Sequence, residues 1–301
     1  MFVIRLKFRK MKKYFYSLLI LAAVSCTAMP DASETNGNGS LLITKVSGGD
    51  FSVGDKIGLF MFEESDTPYG GRVVADNLLV EITGSGASLD GTVFFPDSRV
   101  DMFAYYPYWD DSYILDNFLS VYTYEDQRPL EQYRESEHKF VKFLGYENTG
   151  KPVELAFERL VGRLSFELIP GDGFSSADEL MDCEIVIPNI KYNSGIFIET
   201  GELKEPEGNR DFFPYVDEMA VADGKVSGIY AMIVPQRLPK GASIANIRIG
   251  DDVFRCILDN DFTICKGVNY TVSLTLEKSA TKGPDAVCGV SRLSISESPW
   301  E

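Results

Sequence analysis

The sequence predicts an all-β protein, on the evidence of its hydrophobic pattern and its turn signals. Apolar and polar residues alternate in several segments, most clearly in Val268–Leu276. Because successive side chains of a strand point to opposite faces of a sheet, this alternation predicts half-buried strands. Turn signals rich in glycine and aspartate, such as Gly48-Gly49-Asp50, separate these segments. Only Ala177–Met181 has a weak helical pattern, so we expect packed β-sandwiches.

Residues 1–25 have the composition of a lipoprotein signal peptide. They contain six basic residues and no acidic residue, and the basic residues precede an apolar run that ends at Val24. This run is about half the 20 or so apolar residues of a bilayer-spanning helix, so it predicts a cleaved signal. Small residues lie immediately before Cys26, whose acylated thiol would hold the mature protein in the outer membrane, at the cell surface. An ordinary signal peptide followed by a chance cysteine is the alternative.

The mature chain is predicted to consist of a tether and two folded domains. Residues 26–40 are small, polar and glycine-rich, and they have too little apolar surface to fold. We expect an N-terminal β-sandwich over residues 41–150 and a C-terminal β-sandwich over residues 151–301. The boundary follows from the polar segment Glu147–Lys151 and from a switch in the parity of the apolar positions near Glu158-Arg159. Such a switch requires a bulge or a strand that passes to another packing surface.

The net charge of the chain argues against polyanionic partners. The whole chain carries a formal charge of −16, and loss of the six positive charges of the signal would leave −22. Phosphate backbones and anionic lipid head groups repel such a surface, so we predict no nucleic-acid partner. A well-solvated surface is sufficient to explain the acidity.

No segment predicts an active site, so we expect a non-enzymatic protein without a metal or cofactor. His138 is the single histidine, and its charged neighbours predict a position at the surface. The sequence lacks the clustered Cys and His residues of a zinc site. Paired carboxylates such as Asp110-Asp111 and Asp251-Asp252 lie in predicted turns, where aspartate bonds to its own backbone.

Two of the cysteines beyond Cys26 are predicted to face each other. Arg255–Cys265 is interpreted as a hairpin that turns near Asn260, which would place Cys256 directly opposite Cys265. An exported protein can form a disulfide at such a position. The strain of bridging adjacent strands, and the use of Cys as a small core residue, favour free thiols, and both alternatives stay open.

Aromatic residues cluster between Phe103 and Tyr113. Strand alternation buries about half of the residues in such a segment. The residues left as candidate contacts with a host protein or glycan are Tyr108, Trp109 and Tyr113, because Tyr and Trp are typical of adhesive surfaces. Core packing is the alternative for all three.

Six segments occur in a characteristic order and spacing behind the predicted lipoprotein signal. They are Phe51–Phe60, Val100–Tyr108, Asp126-Gln127, Leu155–Leu164, Phe262–Tyr270 and the terminal stretch from Ile295 to Trp300. In this arrangement the chain resembles the fimbrillin-like lipoproteins of gut and oral Bacteroidales. The resemblance extends over most of the mature chain, from Phe51 to Trp300.

The resemblance implies a fold of two tandem transthyretin-like β-sandwiches and a role as the tip, anchor or stalk subunit of a type V pilus. In such pili, proteolysis removes an N-terminal strand, and a strand from the next subunit fills the groove by β-strand addition. The partners would be other pilus subunits. Leu41–Val46 and Ser291–Ser296 are the candidate exchangeable strands, and permanently built-in strands are an equal alternative.

Two positions depart from the pattern of the family. Stalk subunits are often cut after an Arg near the end of the first strand, but no Arg lies between Cys26 and Arg72. This departure favours a tip, an anchor or a relative that does not polymerise. Arg159 stands where the family often has His. The alternative function is that of a monomeric glycan- or ligand-binding lipoprotein of the outer membrane.

Overall fold

Strands make up nearly all of the regular structure, so the predicted all-β class is confirmed. The computed structural model describes residues 39–278 and 288–300. Within these ranges the helical elements are one short α-helix, α1 (Leu130–Glu135), and one 3-10 turn (Ala177–Leu180). The 3-10 turn coincides with the one segment for which the sequence predicts a weak helical pattern.

Nine strands form the first part of the chain. They are β1 (Ile43–Ser47), β2 (Lys56–Glu63), β3 (Val73–Thr83), β4 (Gly86–Leu89), β5 (Val100–Tyr106), β6 (Phe118–Tyr122), β7 (Lys139–Tyr146), β8 (Val153–Ala156) and β9 (Glu158–Arg159). Six of them form a sheet in the order β4-β3-β2-β5-β7-β9. Outside this sheet, β1 pairs in parallel with β8, and β6 pairs with a strand from the second part of the chain.

The two central strands of this sheet, β2 and β5, are buried on both faces. Every residue of β5 is buried, as is Ile57–Phe62 in β2. One face, which includes Leu59 and Met102, packs beneath the β1–β8 pair. The other face, which includes Phe60, packs in a separate apolar cluster at the junction with the second part of the chain. Burial on both faces explains why these strands are almost continuously apolar.

Eleven strands form the second part of the described chain. They are β10 (Gly162–Pro170), β11 (Glu184–Phe197), β12 (Glu207–Phe212), β13 (Tyr215–Ala222), β14 (Lys225–Ile233), β15 (Gln236–Leu238), β16 (Ser243–Ile249), β17 (Asp252–Ile257), β18 (Phe262–Ile264), β19 (Val268–Glu277) and β20 (Gly289–Pro299). One sheet has the order β13-β14-β10-β19-β20, a second has the order β12-β11-β16-β17, and β15 pairs with β18. The last strand, β20, is therefore an edge strand.

The two larger sheets of this part enclose one apolar core. Strand β19 contributes Tyr270, Val272, Leu274 and Leu276, which alternate with half-exposed polar residues. The predicted alternation in Val268–Leu276 is thus confirmed. Each of these four side chains is at most 1% exposed, and burial of a side chain of this size contributes about 1.5–3 kcal/mol.

The chain passes between the two cores at the predicted switch of parity. Val153, Leu155 and Phe157 belong to the core beneath β1, whereas Leu164 and Phe166 belong to the core between the two later sheets. The intervening pair Leu160-Val161 packs in the junction cluster. The passage between the cores therefore lies at about residues 158–161. All described residues belong to one compact unit, and the division into two independent domains stays a prediction.

Candidate functional site

The first described segment of the chain connects two strand edges. Its beginning pairs with residues 93–95, because Leu41 N donates to the Val93 carbonyl (2.7 Å) and Phe95 N donates to the Gly39 carbonyl (3.3 Å). Its continuation, β1, pairs in parallel with β8, and Val153 N donates to the Leu42 carbonyl (2.8 Å). Residues 39–47 thus occupy a slot with main-chain partners along two different segments.

Side chains of this segment also fill the core. Leu41 and Ile43 are 5% and 2% exposed, whereas Leu42 between them is 52% exposed. Around the two buried side chains lie apolar residues of β3, β5 and β8, including Ile82, Met102 and Leu155. The predicted apolar strand at Leu41–Val46 overlaps the observed strand β1 (Ile43–Ser47). The buried Leu41 and Ile43 alternate with the exposed Leu42, as in a strand inserted into pockets.

A glycine turn carries the chain from β1 over the junction. Gly48 and Gly49 have φ angles of +85° and +148°, which disfavour any residue with a side chain. A Cβ on Gly48 would collide with the Phe157 carbonyl, and one on Gly49 would collide with the stem of Lys139. The predicted turn is therefore required by the close approach of the backbone to two neighbours.

Below this turn lies a buried cluster of charges. Lys139 Nζ lies 2.9 Å from Glu137 Oε2 and forms an ion pair with it, without the geometry of a hydrogen bond. Arg159 Nε donates a hydrogen bond to Glu137 Oε1 at 2.7 Å. The Lys139 side chain is 0% exposed, that of Glu137 is 9% exposed and that of Arg159 is 5% exposed. The rings of Phe51 and Tyr106 lie 4.3 and 4.5 Å from Lys139 Nζ. Burial lowers the pKa of Lys139, and Glu137 opposes this shift.

The same cluster anchors the end of the last strand. Arg159 Nη1 donates to the Trp300 carbonyl at 2.6 Å, and its guanidinium lies 4.4 Å from the centre of the indole ring. Arg163 lies 4.7 Å from that ring, and Trp300 N donates to the Gly267 carbonyl at 3.2 Å. Trp300 is only 8% exposed, although the residues that precede it in β20 are mostly exposed. Arg159 Nη2 also lies 3.4 Å from Asp50 Oδ2, so Arg159 joins the segment after β1 to the end of β20.

The prediction that His138 lies at the surface is wrong. Its side chain is 2% exposed, and Nε2 lies 2.5 Å from the Tyr122 carbonyl oxygen, to which the neutral ring donates. Burial lowers the pKa of His138 to about 4, so the ring is neutral at physiological pH. Its charged neighbours Glu137 and Lys139 point into the junction, which the local sequence does not reveal.

The predicted hairpin between Cys256 and Cys265 is also wrong. Strand β17 pairs with β16, which places Cys256 opposite Ala245, whereas β18 pairs with β15. Cys256 is fully buried in the second core, Cys265 is exposed, and both thiols are free. Burial raises the pKa of Cys256 to about 12, so this thiol behaves as a core residue.

The structure brings together two of the three candidate adhesive aromatics. Trp109 and Tyr113 line one surface cleft, whereas Tyr108 is half-buried outside it. Cys26, the candidate lipid attachment site, lies outside the described residues. Within the described ranges, no three Cys, His, Asp or Glu side chains are grouped as metal ligands, and no helix is long and apolar enough to cross a membrane.

The fold and the first-strand slot can now be compared with known proteins. The fimbrillin-like family model matches residues 44–291, which is most of the chain. The chain belongs to the fimbrillin-like family. As a fimbrillin-like protein it has several solved neighbours in the Bacteroidales, and the comparison with curated proteins gave no significant match.

Three of these neighbours show the same fold at low sequence identity. A candidate cell adhesion protein from Bacteroides uniformis has a TM-score of 0.64 and 17% identity, over 88% of this chain and all of its own. A second candidate cell adhesion protein, from Bacteroides ovatus, has a TM-score of 0.58 and 13% identity, over 84% of this chain and 95% of its own. A fimbrial protein from Bacteroides vulgatus has a TM-score of 0.53 and 11% identity, over 87% of this chain and all of its own. The fimbrillin-like fold thus spans nearly the whole described chain.

Proposed function

We propose that this fimbrillin-like protein is a non-enzymatic subunit of a surface fimbria, assembled by β-strand addition and engaged in cell adhesion. The observation that carries the proposal is the slot occupied by residues 39–47. That segment makes main-chain hydrogen bonds to two segments and inserts alternate apolar side chains into the core. These are the interactions by which one chain recognises an added strand of another.

Departure of this segment would open a groove with a defined chemistry. Its walls would be the unpaired edges at Val93–Phe95 and Val153–Ala156, and its floor would be the apolar residues now beneath Leu41 and Ile43. An open edge above an apolar floor binds other chains unless it is covered. A strand from a neighbouring subunit with the same alternation would restore both the hydrogen bonds and the core.

The position of the basic residues favours a tip or an anchor over a stalk subunit cut after Arg. Arg72 is the first Arg of the described chain, and it follows β2, which lies between β3 and β5. A cut after Arg72 would remove a central strand together with β1. The alternative basic site, Lys45, lies within β1 itself. The proposal includes attachment to the outer membrane through a lipid on Cys26, with residues 26–40 as the tether.

An engineered cut tests the strand addition directly. A site-specific protease sequence is inserted after Val53, which is 73% exposed and lies in a turn. After cleavage and mild denaturant, we expect oligomers that survive on gels, and an excess of a synthetic peptide of residues 39–53 should prevent them. The uncut insertion variant is the control. Cleaved protein that loses the segment, stays folded and stays monomeric would contradict strand addition.

A second function, that of a monomeric ligand-binding lipoprotein, is favoured by one observation. The cleft that contains Trp109 and Tyr113 lies on the surface and is lined by both aromatic and polar side chains. It shares no lining residue with the slot of residues 39–47, so ligand binding and assembly can be tested separately.

A further inference from the structure

The cleft between the Trp109–Leu115 loop and β6 has the size of a small-molecule site. Its volume is about 390 Å³, within the range of roughly 300–1,000 Å³ that such sites have. Its walls combine aromatic and aliphatic side chains with one carboxylate, two serine hydroxyls and two tyrosine hydroxyls. The lining residues are Trp109, Asp111, Ser112, Tyr113, Leu115, Phe118, Ser120 and Tyr122.

The wall that carries Trp109 is fixed by hydrogen bonds from side chains of β3 and β5. Asn77 Nδ2 donates to the Trp109 carbonyl at 2.7 Å and to the Asp110 carbonyl at 3.2 Å. The Tyr105 hydroxyl donates to Asn77 Oδ1 at 2.7 Å and also lies 3.2 Å from the Trp109 carbonyl. This network holds the loop in one conformation before any ligand arrives, which lowers the entropic cost of binding.

The Trp109 ring in the wall of the cleft is also held in place by stacking on a second ring. The indole of Trp109 stacks on the Tyr122 ring with centroids 4.9 Å apart and an angle of 18° between the planes. The far end of the loop is closed by a pair of backbone hydrogen bonds between Leu115 and Phe118, at 2.9 and 3.1 Å. Both ends of the segment are therefore fixed, and the cleft is pre-formed.

Two large side chains of this otherwise ordered loop face solvent. Tyr113 is 63% exposed and Leu115 is 47% exposed. A contiguous exposed apolar patch rimmed by polar groups is a feature of interaction sites. In this cleft, the exposed side chains lie beside Asp111, Ser112 and Ser120, which supply hydrogen-bonding groups next to the apolar surface.

The charges at the cleft select the class of ligand. Among its described lining residues, none is basic, and Asp111 contributes a carboxylate. The ammonium group of Lys204 lies 5.5 Å from the Phe118 ring centre, but Lys204 does not line the cleft. A carboxylate accepts hydrogen bonds from sugar hydroxyls, and aromatic rings pack against the C–H faces of a pyranose. The same carboxylate and the strongly acidic chain repel phosphates, uronic acids and sialic acids.

We propose that this cleft binds a neutral saccharide. This inference deepens the adhesive part of the proposed function by naming its ligand class. It does not depend on strand addition, because the cleft is complete in the intact monomer.

The test titrates the intact, uncut protein with a panel of neutral oligomers of glucose, galactose, mannose and N-acetylglucosamine, beside uronic-acid and sialylated oligomers. The chain has two tryptophans, and Trp300 is buried at the junction, so a ligand-dependent change in tryptophan fluorescence is expected from Trp109. We expect a saturable change with at least one neutral oligomer. Absence of binding to every neutral oligomer, or binding of the acidic ones alone, would overturn the proposal.

Two substitutions locate the binding at the cleft. Tyr113→Ala removes an exposed ring and should weaken binding about tenfold, which corresponds to about 1.4 kcal/mol. Val253→Ala shortens an exposed apolar side chain (46%) of β17, outside both the cleft and the first-strand slot, and should leave the affinity unchanged. Asp111→Asn removes the charge but keeps the shape of the side chain. It should weaken the binding of neutral saccharides and reduce the discrimination against acidic ones. Unaltered affinity in Tyr113→Ala and Asp111→Asn, with the fold confirmed by circular dichroism, would place the binding elsewhere and refute the assignment.

Discussion

The buried charge cluster at the junction predicts a large effect for a nearly isosteric substitution. Glu137 carries the one negative charge within ion-pair distance of Lys139 among the described residues, and it also accepts a hydrogen bond from Arg159. Glu137→Gln keeps the shape of the side chain and removes the charge. Two buried cations, 0% and 5% exposed, are then left without this partner. Removal of one member of a buried pair costs about 3–5 kcal/mol, and we expect a loss of that size.

Urea denaturation monitored by circular dichroism measures this loss as a change in the free energy of unfolding. The matched control is Glu147→Gln, since Glu147 pairs with Arg99 at 3.7 Å on the surface and is 74% exposed. Exposed pairs contribute about 0–1 kcal/mol, so the control should be nearly neutral. A loss below about 1 kcal/mol for Glu137→Gln, similar to that of the control, would refute the assignment of the cluster as a buried pair.

A second substitution identifies the unpaired cation as the cause. In the Glu137→Gln background, Lys139→Met removes the ammonium group and should recover part of the lost stability.

The stability of Glu137→Gln should also depend on pH, in a direction that the pKa of Lys139 fixes. Without Glu137, burial lowers the folded-state pKa of Lys139 further below its unfolded value, so the unfolded state binds more protons. Relative to the Glu137→Gln/Lys139→Met double variant, the stability of Glu137→Gln should therefore rise with pH up to about 10.5, the unfolded pKa of lysine.

Three further predictions concern the buried His138, the first strand and the pair Cys256 and Cys265. Because burial lowers the pKa of His138 to about 4, the free energy of unfolding should fall by roughly 3 kcal/mol as the pH decreases from 6.5 to 4. A flat profile in urea titrations across this range would contradict the neutral, buried ring. Ile43→Ala should cost about 2–5 kcal/mol in the same assay, whereas Leu42→Ala, on the exposed face of the same segment, should cost less than about 0.5 kcal/mol. In the native protein, an alkylating reagent should label Cys265 and spare Cys256, as read by peptide mass spectrometry; a Cys256–Cys265 disulfide would block both.

Local patterns in the sequence were sufficient for the strands but not for their partners. The alternation in Val268–Leu276 and the apolar run of β5 depend only on which faces are buried, which the side chains encode directly. The pairing of Cys256 with Cys265 required knowledge of whether two consecutive strands are neighbours in one sheet. In this fold the chain leaves β17 and enters the separate β15–β18 pair, and nothing in Leu258–Asp261 distinguishes this path from a tight hairpin.

The buried charge cluster was missed for a related reason. Its charged side chains come from two separate segments, one with Glu137 and Lys139 and the other with Arg159, and Phe51 covers Lys139 from a third. A run such as Arg134–Lys139 is usually a solvated face, because isolated buried charges are costly. Glu137 and Lys139 are buried here because they pair with each other and because Arg159, from a different segment, also pairs with Glu137. One signal was present in the sequence, namely the departure at Arg159 that the family resemblance implies, but only the structure shows that Arg159 binds Glu137 and the Trp300 carbonyl.

The first-strand slot and the junction share the residues that follow the turn at Gly48-Gly49. Asp50 Oδ2 lies 3.4 Å from Arg159 Nη2, and Phe51 covers Lys139. A cut at Lys45 would leave both residues attached to β2, whereas a cut at Val53 would release them together with β1. Loss of Phe51 would admit water to Lys139 and weaken the low-polarity surroundings in which Arg159 binds the Trp300 carbonyl. If the proposed strand addition holds, the site of cleavage would therefore decide whether opening the groove also loosens the end of the last strand.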